Sequence, residues 1–193
     1  MRMRTIGRLG ASILGLTALV GGWALASDDA HAIAIRPGIV VFSQDPSQRQ
    51  LARWAVARFE RAGLEAPTVE IRLHTDASGC GGHLGYAKGG RVDVCTVLVN
   101  EMTRRNLLHE MSHIWMDQNV SRATGERFLG LRHLSAWNDS SDPWPERGCE
   151  QGAEIMAWAL GDRILTPQVQ DNEPARLDAA YRLLTGGAPP DRP

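Results

Sequence analysis

The chain has 193 residues, 43% of them hydrophobic and 22% charged, which suits one compact domain with its own core plus a targeting segment. A net charge of −1, with no basic run beyond the N-terminus, excludes a nucleic-acid partner recruited by charge.

Arg2, Arg4 and Arg8 precede an apolar stretch from Leu9 to Leu25. The small-residue sites Ala24-Leu25-Ala26 and Ala30-His31-Ala32 follow. This is the order of a secretory signal peptide, residues 1–26, with a second cleavage site after residue 32. The apolar run is also close to the length of a bilayer span, so membrane association through an uncleaved anchor stays open. A secreted or cell-envelope location is expected for a single domain over residues 33–186, with a flexible tail at 187–193.

Within the domain, Gly38 to Ser43 reads as a short buried strand and Gln48 to Ala62 as a helix stopped by Gly63. Thr68 to His74 alternates apolar and polar residues as a half-buried strand does. Arg91 to Val99 reads as a second strand, and the glycine-rich stretch between them as a turn. Helices are then expected from Thr103 to about Gln118, Ser121 to Leu131, Glu146 to Leu160 and Pro174 to Leu184. A loop rich in Trp, Pro and Asn/Asp spans Ser135 to Pro145. Strands first and helices after them point to an α+β fold.

Export permits disulfides. Cys80 and Cys95 bracket the glycine-rich stretch and are the favoured pair, which leaves Cys149 free. Pairings of Cys149 with either of the others remain open.

The chemistry sits at His109-Glu110-Met111-Ser112-His113. Four residues apart on a helix, His109 and His113 stand one turn above each other, so both imidazoles can reach one tetrahedral zinc ion. Glu110 projects about 100° round the helix, beside the ion, where it can take a proton from water. Catalytic zinc needs a third protein ligand. Glu150 and Glu154 lie one turn apart on a later helix, while His133, Asp139 and Asp142 are further candidates outside any motif. Gly148 and Gly152, costly inside a helix, make sense if another helix approaches closely.

H-E-x-x-H followed by a helix bearing E-x-x-x-[DE] resembles the gluzincin branch of the zincin metallopeptidases. The resemblance covers roughly residues 91–160. It implies His109, His113 and Glu150 as zinc ligands, Glu110 as general base, and Glu154 as hydrogen-bond partner of His109. It also implies a minimal zincin fold, a small and mostly antiparallel sheet packed against the active-site helix and the glutamate helix, with Arg91 to Val99 as an edge strand. The connection from His113 to Glu150 is longer than in compact members of the family. The metzincin form does not apply, because Met116 and Asn119 stand where it needs Gly and His.

The implied activity is zinc-dependent hydrolysis of peptide or amide bonds in a peptide or protein substrate. A non-catalytic zinc-binding protein with a degenerate zincin fold is the alternative. Arg147, Tyr86, Tyr181 and His133 are the candidate donors to a developing oxyanion, with no ground for choosing between them. His83 reads as solvent-facing. Trp115, Trp137, Trp144 and Trp158 read as core and cleft wall.

Overall fold

The computed structural model describes residues 31–95, 98–161, 163 and 165–191. The expected signal segment therefore lies outside the described residues, as do two residues after the strand that ends at Cys95. Among the described residues no helix is long and apolar enough to cross a membrane.

The architecture is α+β. Strands β1 (Ala32–Arg36), β2 (Ile39–Phe42), β3 (Val69–His74), β4 (Gly85–Lys88) and β5 (Arg91–Cys95) form one sheet in the order β1-β2-β3-β5-β4. Helix α1 (Pro46–Arg61) connects β2 to β3, and α2 (Glu101–Asn119), α3 (Arg122–Arg132), α4 (Gly148–Leu160) and α5 (Pro174–Thr185) follow the sheet.

Two expectations about the sheet are corrected. It is mixed rather than mostly antiparallel: β2 to β3 and β3 to β5 run parallel, and only the outer pairs are antiparallel. Helix α1 carries the chain back across the sheet, so β3 enters in the same direction as β2. The strand from Arg91 is also not an edge. The edge is β4, which lies within the stretch read as a turn. Gly89 and Gly90 both have positive φ, 59° and 80°, and form the two-residue hairpin that pairs Lys88 with Arg91.

Side chains on one sheet face, among them Val41, Ile71, Leu73, Val92 and Val94, join the core with Leu51 and Phe59 of α1 and Leu107, Leu108 and Met111 of α2. On the other face, β3 and β5 carry polar residues. There buried Asp93 is held by His74 Nε2 and Arg91 Nε, each 2.7 Å away.

Helix α2 begins at Glu101, two residues earlier than the sequence suggests. Asn100 is its cap, with Asn100 accepting from the Thr103 amide and Thr103 answering the Asn100 amide. Helices α2 and α4 pack against each other where Gly152 admits Met116, while Gly148 lets α3 and Trp137 approach α4. A methyl group at Gly152 would stand 2.7 Å from Met116 Sδ, and one at Gly148 would stand 2.6 Å from Leu129 Cδ2.

Cys80 and Cys95 form a disulfide, which ties the 3-10 turn Ala77–Cys80 to the end of β5. Cys149 is free and buried, and burial pushes its thiol up to about 11. Breaking the bridge with Cys80→Ala and Cys95→Ala together should cost about 3 kcal/mol of unfolding free energy, the value for a loop of this length. Urea denaturation measures it, and iodoacetamide should label Cys149 only after unfolding.

Candidate metal centre

Helix α2 brings His109 and His113 to the side facing α4, and α4 presents Glu150 in its first turn. His109 Nε2 and His113 Nε2 are 3.1 Å apart, and each lies 3.2 Å from Glu150 Oε2. These three form a group that can hold a metal ion, and they are the one such group among the described residues.

The donor chemistry fits an ion. His109 Nδ1 faces Glu154 Oε1 at 3.1 Å, which turns the Nε2 lone pair toward the centre. Two imidazole nitrogens and a carboxylate oxygen then converge, and electron pairs so close repel unless a cation stands among them. A proton can bridge only two of the three atoms. Ligand atoms about 2.0–2.1 Å from a tetrahedral zinc ion stand about 3.3 Å from one another, close to the separations here.

Glu154 is 2% exposed. Its second oxygen accepts from the Arg105 guanidinium and from the Gln168 amide. The contact to His109 is a charge contact more than a straight hydrogen bond, since the Nδ1–H is poorly aligned with the carboxylate. Arg105 was not foreseen. It lies one turn before His109, so the spacing 105, 109, 113 marks one helix face and would have exposed it.

Burial works against every charge here, and the partners decide the outcome. For His109, burial lowers the pKa, but its contacts with the carboxylates of Glu150 and Glu154 outweigh it and push it up to about 9. For Glu150, burial raises the pKa, yet the two histidines win and hold it well below the usual carboxylate range. Glu154 is also lowered: burial opposes, and His109 and Arg105 prevail. Glu110 goes the other way. Burial raises it, and the nearby positive imidazoles only partly offset the rise.

Glu110 packs against the edge strand. A methyl group at Gly85 of β4 would stand 2.6 Å from Glu110 Oε1 and 2.7 Å from its Cγ, so the absent side chain is what makes room for the carboxylate. His83, exposed two residues before this strand, is near enough that a positive charge on it favours ionised Glu110. The indole of Trp144 stacks on His109, with ring centroids 5.8 Å apart and 24° between the planes.

Other candidates fall away from the centre. His133 is the exposed, left-handed cap of α3, and Asp139 and Asp142 are engaged by Ser141 and Ser135. Tyr181 is fully buried in α5. Arg147 bonds the carbonyls of Asp142 and Ser140, and Tyr86 is on the sheet face opposite Gly85. None of the proposed oxyanion donors is therefore aimed at the metal group. Compared with family models, with curated proteins and with solved structures, the chain matches none.

In metal-free protein His109 keeps its proton at neutral pH, and an entering ion must displace it. Zinc affinity should therefore rise about tenfold per pH unit from pH 7 and level off above about 9, with about one proton released per ion at pH 7. The same shift means that this pairing stabilises metal-free protein fully below pH 6.5 and stops doing so as pH rises through about 9. Calorimetric titrations in buffers of different ionisation enthalpy measure the released proton. An affinity that does not change between pH 7 and 8 would show His109 already neutral.

Proposed function

We propose that the chain is an exported zinc-dependent hydrolase of the gluzincin type, cleaving a peptide or amide bond in a peptide or protein substrate. The observation that carries this reading is the convergence of His109, His113 and Glu150 beside a carboxylate, Glu110, that is not drawn into the ligand group. Two imidazoles and one carboxylate are a donor set for zinc that leaves a coordination position open. Bound there, the ion supplies Lewis acidity, polarising a carbonyl and acidifying water.

The protein's own groups do the rest. Glu110 accepts the proton of the attacking water and delivers it to the leaving amine. Its raised pKa brings it nearer to the working pH, where one group both takes and returns a proton most efficiently. Glu150 serves as an anionic ligand because the histidines keep it ionised. Glu154, held by Arg105, fixes the His109 ring and its tautomer. Strand β4 has one free edge, and an extended substrate pairing there would pass Gly85 and lie over Glu110. The disulfide supports export.

Removing either imidazole or Glu150, by His109→Ala, His113→Ala or Glu150→Ala, should abolish tight zinc binding. Glu154→Ala should weaken it about 10- to 100-fold. Equilibrium dialysis of the four variants decides the assignment, and it is reversed if Glu154→Ala loses the ion while Glu150→Ala keeps it.

Glu110→Gln should retain zinc and lose about 100- to 10,000-fold in hydrolysis, since an amide neither takes nor returns the proton. Equal activity in both forms would remove Glu110 from the reaction, and zinc binding with no hydrolysis of any peptide would leave a non-catalytic zinc protein. Gly85→Ala should also keep zinc but displace the base, lowering turnover about 100-fold, the usual penalty for a misplacement near 1 Å.

A further inference from the structure

A recess of about 410 Å³ opens beyond the metal group, between the end of α2, α3 and the Trp137 ring. It lies in register with the site. Asp117 is four residues after His113, hence on the same side of α2 and about 6 Å along its axis. Trp137 is fixed beside the other ligand: its carbonyl accepts from the Cys149 amide at 2.7 Å, one residue before Glu150, and its ring meets Phe128 edge-on.

The walls and the rim differ in character. Met116, Val120, Leu129 and Trp137 supply apolar surface. Two carboxylates, Asp117 and Glu126, stand at the rim, where Arg122 engages Glu126 at 2.9 Å. Asp117 is exposed and makes no hydrogen bond or ion pair with any described residue. The recess therefore combines a greasy channel with one uncompensated negative charge at its mouth on the metal side.

We infer that this recess is the subsite for a lysine or arginine side chain of the substrate, an inference that rests on the hydrolase reading above. The methylene stem of such a residue lies along apolar walls while its charged head stays at the rim. Here the head meets Asp117 and the face of the Trp137 indole, a favoured neighbour for a guanidinium or ammonium group. An acidic side chain is repelled by Asp117, while Arg122 offsets Glu126. A neutral chain of equal length fills the walls but leaves Asp117 unused.

Binding of N-acetyl-arginine amide, N-acetyl-norleucine amide and N-acetyl-glutamate amide to the zinc-loaded protein tests this without relying on turnover. Backbone amide NMR shifts should mark Asp117, Gly125 and Trp137. The arginine compound should bind about tenfold tighter than norleucine, from one exposed charge pair and one cation–ring contact, and glutamate should bind weakest. Asp117→Asn should erase the arginine preference.

Gly125→Leu should close the recess to both compounds while keeping the fold. The nearest atoms to a methyl at Gly125 belong to the Trp137 ring, at 3.6 Å, an ordinary contact, and leucine is the better helix former. Equal binding of arginine and norleucine, a preference that survives Asp117→Asn, or shifts confined to other residues would each overturn the subsite. Peptide cleavage by the wild type separates the two readings. Cleavage indifferent to basic residues, with no arginine binding, removes the subsite and leaves the hydrolase. Arginine binding at the recess with no cleavage of any peptide removes the hydrolase and leaves a site for a basic side chain.

Discussion

Two carboxylates and two imidazoles are packed into the seam between α2 and α4, with a third carboxylate, Glu110, beside it against β4, and the rest of the structure has to make that tolerable. Glu110, Glu150 and Glu154 bring three negative charges, and Arg105 returns one positive charge to Glu154. With neutral imidazoles the cluster is left two charges negative. Buried charge of that size is costly unless it is paired. In metal-free protein a proton on His109 repays part of it, which is why that imidazole holds its proton so far above the ordinary value. A divalent cation among His109, His113 and Glu150 balances the charge fully and satisfies all three converging donors at once. The same cluster thus explains both the strong pull on His109 and the suitability of the site for a metal.

The scaffold around the seam follows from that demand. Helix α4 begins without a side-chain cap, so the amides of Gly148 and Cys149 bond instead to the carbonyls of Ala136 and Trp137. This moves the helix start from Glu146, where the sequence suggests it, to Gly148. Glu150 consequently falls in the first turn, where the helix dipole also favours an ionised carboxylate. The glycines at 148 and 152 then let α3, Trp137 and Met116 approach closely enough to hold the helix in place.

What was legible in the chain was what is local. The pair His109 and His113 depends on helical period alone, and the helices are found within a residue or two of their expected ends. Glu150 and Glu154 also share a face through local spacing, although their pairing with particular histidine nitrogens is a tertiary fact. The sheet was less legible because strand direction and neighbour are set by what packs across it. Ile39 to Phe42 gives no sign that its partner runs parallel. Strand β4 has no β-branched residue, and its signal was the Gly89-Gly90 pair next to a strand, which marks a hairpin more strongly than a loose turn. Strand β1, directly after the expected targeting segment, was missed because four alternating small and branched residues before Arg36 carry little weight alone.

The long connection between His113 and Glu150 is where the chain builds the surroundings of its centre. Helix α3 and the loop after it place Trp137 against the first turn of α4, and the same loop brings Trp144 over His109. Arg147 locks that loop by bonding two of its carbonyls. A guanidinium so engaged is not free to stabilise charge on a substrate, which disqualifies the one arginine closest in sequence to Glu150. Glu110 is faced from the other side, by Gly85 and His83, on or just before the edge strand β4. The surroundings of the candidate centre are therefore asymmetric, with an aromatic, loop-built wall beside His109 and a backbone edge beside Glu110. Under the proposed hydrolase reading, an extended chain entering along β4 would meet Glu110 before it meets the aromatic wall, which would put backbone pairing and side-chain pockets at opposite ends of the site.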